Sequence, residues 1–127
     1  IIFGNRGDDL LDGSTGNDTL RGGKGNDAIV GGDGDDFLFG GDGDDSLIGG
    51  NGLDKFLLST NSGSDTIFDF EVGKDLLVLG DGLSFSQLSI SQDNTSTFIR
   101  LSATGEILAS LNGVSASVIN AANFNLA

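Results

Sequence analysis

A nine-residue repeat dominates the first half of the chain. Residues 4–57 read GNRGDDLLD, GSTGNDTLR, GGKGNDAIV, GGDGDDFLF, GGDGDDSLI and GGNGLDKFL, six consecutive copies of Gly-Gly-x-Gly-x-Asp-x-U-x, where U is a large apolar residue. Ile2 falls at the U position of a preceding partial copy. A repeat this strict predicts a solenoid, in which each unit packs against its neighbours in the stack.

Each repeat is expected to form a turn of six residues and a strand of three. Glycine at the first, second and fourth positions allows the backbone angles of sharp turns. Because side chains alternate along a strand, only U would point inward. Two repeats then complete one coil of an all-β, right-handed parallel β-roll. Its two inner faces would be lined by Ile2, Leu20, Leu38 and Phe56, and by Leu11, Ile29 and Leu47.

The sixth position of every copy is an aspartate: Asp9, Asp18, Asp27, Asp36, Asp45 and Asp54. In a two-repeat coil these carboxylates stack in two columns, where like charges would repel one another. Ca²⁺ takes six or more oxygen ligands from carboxylates and carbonyls, so it suits the space between coils. We therefore expect about four calcium ions, with a fifth if the segment after the repeats closes over Asp45.

Further oxygen ligands are expected from the same turns. Fifth-position side chains could contribute, namely Asp8, Asn17, Asn26, Asp35 and Asp44, whereas Leu53 breaks the pattern and marks the end of the array. Backbone carbonyls are expected from Gly7, Gly16, Gly25, Gly34, Gly43 and Gly52 at the fourth position, and from Gly23, Gly32, Gly41 and Gly50 at the second. Because the inward side chains form a thin core, calcium binding and folding should be coupled.

Composition narrows the classes of function. Nineteen acidic and six basic residues give a net charge of -13, whereas nucleic acid binding requires basic surface. Without cysteine or histidine, the chain cannot build a Ser-His-Asp or Cys-His nucleophile or an ordinary zinc site. We therefore expect no catalytic residues and no cofactor besides calcium.

No apolar run is long enough to span a membrane, and no signal peptide is recognisable. The sequence starts within a repeat, so we expect further domains before it, where any enzymatic activity would lie.

Residues 58–127 lose the nine-residue period. Alternating polar and apolar residues predict strands at 64–70, 74–79, 89–91, 97–102 and 106–111. A single helical turn is expected at 84–88 and a short helix at 116–123. Since the end of a solenoid exposes strand edges and apolar core, this segment should cap the roll of residues 1–57 and pack with it as one unit. Part of the outward apolar surface should lie beneath the cap or a second copy of the chain; it comprises Val30, Phe37, Phe39, Ile48 and Leu57.

The chain resembles the C-terminal region of RTX proteins. The similarity rests on the nonapeptides and on the later runs GLDKF at 52–56, DTIFDF at 65–70, GKD at 73–75 and AANF at 121–124. Asn5 and Ser14 depart from the pattern by replacing the second glycine. The resemblance implies export through a type I secretion channel, guided by an uncleaved C-terminal signal, and folding on contact with extracellular calcium. RTX relatives include proteases, haemolysins, lipases and alginate epimerases.

Two functions remain open at this stage. The first is a non-catalytic calcium-binding module that folds after secretion and stabilises the C-terminal end of a larger protein. The second is an accessory module for polysaccharide or cell-surface binding, similar to the R-modules of alginate epimerases. The sequence reveals no basic groove or aromatic platform for this second role, and self-association is equally open.

Overall fold

A computed structural model describes residues 1–126, so Ala127 at the end of the expected cap lies outside the described residues. The strands are β1 Ile2–Arg6, β2 Leu10–Asp12, β3 Thr19–Lys24, β4 Ala28–Asp33, β5 Phe37–Asp42, β6 Ser46–Asn51, β7 Lys55–Leu58, β8 Asp65–Ile67, β9 Leu76–Leu79, β10 Leu88–Gln92, β11 Ser96–Leu101, β12 Ile107–Asn112 and β13 Phe124–Leu126. Short 3₁₀ turns occupy Phe85–Gln87, Ala116–Val118 and Ala121–Asn123. Within this described range, no helix is both long and apolar enough to cross a membrane.

The strands form two sheets that enclose the core. Sheet A has the order β1-β3-β5-β7-β9-β13, and all of its strand pairs are parallel. Sheet B has the order β10-β11-β12-β8-β6-β4-β2 and is parallel from β2 to β12. Through the repeats, successive strands alternate between the two sheets, so two repeats complete one coil. The predicted all-β parallel β-roll is confirmed.

The register of each sheet stacks the U residues directly on one another. In sheet A, Leu20 lies between Ile2 and Leu38, and in sheet B, Ile29 lies between Leu11 and Leu47. Apart from the half-buried Ile2, these side chains are almost completely buried. The predicted inner faces are therefore confirmed.

The repeat strands are longer than the sequence predicts. Strands β3 to β6 each span six residues, from the seventh position of one repeat to the third position of the next. The expected division into a six-residue turn and a three-residue strand is wrong, because the first three positions of a repeat continue the ladder of the preceding strand. Close stacking explains the second glycine: a Cβ on Gly23 would strike the carbonyl oxygen of Asn5 in the previous coil.

The residues after the repeats extend both sheets. Strand β8 pairs with β6 and β9 pairs with β7, and then β12 pairs with β8 and β13 with β9, all in parallel. Their inward side chains, Ile67, Leu77, Leu111 and Phe124, join the core of the roll. Each predicted strand of this segment overlaps an observed strand. The helical turn predicted at 84–88 is a 3₁₀ turn, whereas the short helix predicted at 116–123 is wrong, because two separate 3₁₀ turns, Ala116–Val118 and Ala121–Asn123, occupy this range. Strand β13, Phe124–Leu126, was not predicted.

Candidate calcium sites along two aspartate columns

The sixth-position aspartates form the two predicted columns. On one edge of the roll, the backbone N–H of Asp9 donates to Oδ1 of Asp27 at 2.8 Å, and the N–H of Asp27 donates to Oδ1 of Asp45 at 2.7 Å. The other edge repeats the arrangement with Asp18, Asp36 and Asp54. Each carboxylate is thereby held at the boundary between two coils.

The second oxygen of each of these carboxylates has no protein partner. Among the described residues, Oδ2 of all six aspartates is buried without a hydrogen bond. The salt bridge found there joins Lys74 to Glu71 at 3.2 Å and involves neither column. A buried carboxylate oxygen without a partner is costly, and a bound cation would remove that cost.

Glycine at the first position leaves a space beside each orphaned oxygen. A Cβ on Gly4 would lie 2.7 Å from Oδ2 of Asp9 and 2.5 Å from the carbonyl oxygen of Gly22 in the next coil. The same pairing of a carboxylate with a carbonyl surrounds Gly13, Gly22 and Gly31, where the carbonyls belong to Gly31, Gly40 and Gly49. This combination of oxygen donors fits Ca²⁺.

Burial shapes the electrostatics of the columns. It raises the pKa of Asp54 to about 7, although the N–H of Asp36 acts in the opposite direction. Burial also raises the pKa values of Asp36 and Asp45. At these three positions, burial disfavours the ionised form of the carboxylate.

Carboxylates alone would not complete a metal site. The described part of the chain has no group of three or more His, Cys, Asp or Glu side chains that could hold a metal ion. Each gap between stacked coils is bordered by two sixth-position carboxylates, so the remaining ligands must come from carbonyls or water. This requirement matches the oxygen preference of Ca²⁺ and its coordination by six to eight ligands.

The fifth-position side chains form an outer ladder. Oδ1 of Asp8 accepts the N–H of Asn26 at 2.8 Å. The equivalent acceptors are Asn17, Asn26, Asp35 and Asp44, and their donors are the N–H groups of Asp35, Asp44, Leu53 and Ser64. These bonds lie at the surface and join the turns of adjacent coils. The contribution of these side chains to calcium binding stays a prediction.

Glycine carbonyls of the first, second and fourth positions lie in different places. At the fourth position, the carbonyl of Gly7 faces Gly25 of the next coil, and at the second position, the carbonyl of Gly23 faces Gly41. The carbonyls that share the space beside a first-position glycine with an orphaned oxygen instead belong to the first position, in Gly22, Gly31, Gly40 and Gly49. Sequence reasoning missed these four, because a period does not reveal which carbonyl turns toward the carboxylates. The ligand role of the second and fourth carbonyls stays a prediction.

Two aspartates of the cap continue the columns. Oδ1 of Asp65 accepts the N–H of Asp45 at 3.3 Å, and Oδ1 of Asp75 accepts the N–H of Asp54 at 2.9 Å. Sequence reasoning did not include them among the candidate ligands. A signal was present, because GSDTI at 63–67 and GKDLL at 73–77 preserve the Gly-x-Asp-x-U core of the repeat.

The outer surface of sheet A combines aromatic and basic side chains. The rings of Phe37 and Phe39 stack with centroids 4.3 Å apart, and the guanidinium carbon of Arg21 lies 4.1 Å from the Phe39 centroid. A shallow depression of about 520 Å³ includes Arg21, Phe39 and Leu57 in its lining, together with Asp42, Asp65 and Asp81. The sequence alone shows no aromatic platform, whereas the structure brings Phe37, Phe39 and Arg21 together on this surface. Residues that are 18 apart in sequence become neighbours only when the coils stack.

Comparison with known proteins agrees with this geometry. The family model "RTX calcium-binding nonapeptide repeat (4 copies)" matches residues 1–29 and 22–56. The solution structure of the AlgE6R2 subunit of the Azotobacter vinelandii mannuronan C5-epimerase shares 32% identity with the chain, with a TM-score of 0.74, and the match covers 98% of this chain and 91% of that one. The chain belongs to the family of RTX calcium-binding nonapeptide repeat proteins.

Two further structures are similar to the chain. The AlgE6R3 subunit of the same epimerase is 26% identical, with a TM-score of 0.66 and coverage of 93% of this chain and 78% of that one. The extracellular lipase LipA from Serratia marcescens is 28% identical, with a TM-score of 0.76 over 95% of this chain. The chain spans 20% of the length of the lipase. None of the curated proteins that were compared matches it.

Proposed function

We propose that the chain is a calcium-dependent folding module that orders after type I secretion and stabilises the C-terminal end of a larger extracellular protein. The observation that carries this proposal is the orphaned, buried Oδ2 on every sixth-position aspartate. Extracellular calcium modules bind at about 10⁻⁴ to 10⁻³ M, so cytosolic calcium would leave the array empty and unfolded before export.

The array provides about four calcium sites in this proposal. The gaps lie between Asp9 and Asp27, Asp27 and Asp45, Asp18 and Asp36, and Asp36 and Asp54. Each gap contains an orphaned Oδ2 and a first-position glycine carbonyl on opposite sides of the coil boundary. Calcium bound there would neutralise the column and join adjacent coils.

The two halves of the chain have different tasks in this proposal. Residues 1–57 bind calcium, whereas residues 58–127 cap the roll and contain the secretion signal recognised by the type I machinery. Continuous sheets from β7 into β9 and from β6 into β8 support packing as one unit.

Calcium titration of the metal-stripped chain tests the main proposal. Circular dichroism should change from a coil spectrum to a strand spectrum as calcium is added, while magnesium at the same concentration should have little effect, because Mg²⁺ demands stricter octahedral geometry. A stripped chain that is already fully structured would overturn the proposal.

Position within the column should determine the effect of losing a carboxylate. Asp36 borders two gaps, while Asp9 borders one gap in the first coil. Asp36→Asn should therefore raise the calcium midpoint of folding by about tenfold or more, the scale for losing a partner around a metal site, and Asp9→Asn should raise it less. Equal shifts would contradict the proposed stacking of ions.

A second function is favoured by the outer surface of sheet A. In the strands of this sheet, the basic residues Arg6, Arg21, Lys24 and Lys55 accompany a single acidic residue, Asp42. About four calcium ions would also reduce the formal charge of -13 to about -5. We infer an accessory role in which the Arg21–Phe39 surface binds an acidic polysaccharide, as aromatic and cationic side chains together suit such chains.

Binding of soluble oligouronates in saturating calcium tests this second function. Arg21→Gln should weaken binding several-fold, whereas Lys74→Gln removes the same charge from an exposed turn outside sheet A and should leave binding unchanged. Calorimetry would measure the affinity of both variants for the oligouronate. Equal losses of affinity would indicate a general effect of charge and argue against specific binding at the Arg21–Phe39 surface.

A further inference from the structure

We propose that the cap completes two additional calcium sites, one between Asp45 and Asp65 and one between Asp54 and Asp75. This inference rests on the calcium-dependent folding proposed above and deepens it, because it makes docking of the cap a calcium-binding step. The total would rise from about four ions in the repeats to about six.

The hydrogen bonding of the columns continues across the end of the array. Within the repeats, each carboxylate accepts the N–H of the aspartate one coil earlier, as Asp54 does from Asp36 at 2.9 Å. Asp75 accepts from Asp54 at 2.9 Å in the same way, and Asp65 accepts from Asp45 at 3.3 Å. The cap aspartates thus occupy the next places in both columns, although they lie 20 and 21 residues further along the chain rather than 18.

The aspartates of the last two repeats have one buried carboxylate oxygen without a partner, as those of the earlier repeats do. Asp45 and Asp54 are 2% and 1% exposed, and the Oδ2 atom of each is buried without a hydrogen bond. In the internal gaps, the equivalent atom lies where calcium is proposed to bind. If the array held only four ions, these two oxygens would remain uncompensated in the folded chain.

The junction gaps differ from the internal gaps in their carbonyls. Around Gly40 and Gly49, the three atoms nearest to a Cβ position all belong to Asp45 and Asp54, and a first-position carbonyl of a following coil is not among them. Oδ2 of Asp75 also accepts the N–H of Glu71 at 2.8 Å. With fewer protein oxygens available, these sites should retain more water, bind more weakly and fill last.

Asp69 shows that the cap also uses carboxylates in another way. Its two oxygens accept the N–H groups of Gly49 and Gly50 at 2.8 and 2.7 Å. Asp75 also accepts two backbone N–H groups, those of Asp54 and Glu71, but unlike Asp69 it occupies the next place in a column, as Asp65 does. The distinction assigns calcium binding to two of these three cap aspartates.

Calcium stoichiometry of the full chain tests the inference. Equilibrium dialysis of the metal-stripped protein should give about six ions for the wild type, about five for Asp65→Asn or Asp75→Asn, and about four for the double variant. Asp81→Asn is the matched control, because Asp81 is an exposed cap aspartate that accepts the N–H of Thr60 and not that of a column aspartate. It should retain the wild-type stoichiometry.

A calcium titration of the wild-type chain tests the inference without any variant. During a calcium titration followed by NMR, the amide resonances of Asp65 and Asp75 should change in the last equivalents, after those of Asp27 and Asp36. Simultaneous changes, or none at the cap, would overturn the inference even if the variants fail to fold.

The outcomes separate this inference from the broader function. A chain that folds with calcium but binds only four ions, with no loss in either variant, overturns the cap sites and leaves the folding module intact. A chain that needs no calcium to fold overturns both.

Discussion

At the residue scale, the three glycines of a repeat meet different structural demands. Those at the second and fourth positions have left-handed backbones, as in Gly23 with φ 104° and Gly25 with φ 121°. The first glycine lies outside that region, and its missing Cβ instead leaves room beside the carboxylate. Asn5 and Ser14 also adopt positive φ, at 80° and 67°.

Substitution of a first-position glycine should weaken calcium binding. The methyl group of Gly22→Ala would enter the space shared by Oδ2 of Asp27 and the carbonyl of Gly40, without a left-handed backbone to strain. We expect a clear rise in the calcium midpoint measured by circular dichroism. Gly105→Ala is the control, because Gly105 has φ 77° and open space around its Cβ position. It should cost about 1 to 2 kcal/mol through backbone strain but leave calcium affinity unchanged.

At the element scale, each strand of the roll divides its side chains between core and solvent. In β6, Leu47 is fully buried and its neighbour Ile48 is 38% exposed on the outer face. Leu47 stacks between Ile29 and Ile67 in sheet B. In each of the strands β3 to β6, one large inward residue therefore joins the coil before it to the coil after it.

Truncation of these neighbours should have unequal effects. Leu47→Ala removes core contacts with two adjacent coils and should cost about 2 to 5 kcal/mol in the free energy of unfolding. Ile48→Ala, a change of similar size on the same strand, should cost less than about 1 kcal/mol. Urea denaturation in saturating calcium would measure both, and a larger loss for Ile48→Ala would contradict the assigned orientation of β6.

At the scale of the whole molecule, the acidic charge of the chain is concentrated where the coils meet. Burial raises the pKa of Asp65 to about 8, with a further contribution from the Asp45 carboxylate, and the pKa of Asp54 to about 7. Both values lie above the ordinary 3.8 of an unfolded aspartate. Between pH 3.8 and these raised values, the calcium-free folded chain holds protons that the unfolded chain releases. The free energy of unfolding of the calcium-free chain is therefore greatest at low pH, and this contribution is lost as the pH rises through about 7 to 8.

Calcium should reverse this dependence on pH. In chelating-resin-treated buffer, lowering the pH from 8.5 to 5 should favour the folded chain. In limiting calcium, the same change should unfold it, because protons compete with the metal for the carboxylates. Parallel pH titrations followed by circular dichroism would check the opposite signs, and the same sign in both buffers would contradict the assignment of the columns.

The sequence by itself determined the parallel roll, its two inner faces and its two aspartate columns. A nine-residue period and two repeats per coil bring residues 18 apart into contact, so Leu20 meets Leu38 and Asp27 meets Asp45 without further information. Only the tertiary structure decided that the strands run into the first three positions of the next repeat and that first-position carbonyls lie beside the carboxylates. It also decided that Phe37, Phe39 and Arg21 meet on one surface, and that Asp65 and Asp75 continue the columns. These features depend on carbonyl orientation and on irregular spacings of 20 and 21 residues, which packing determines and a period does not encode.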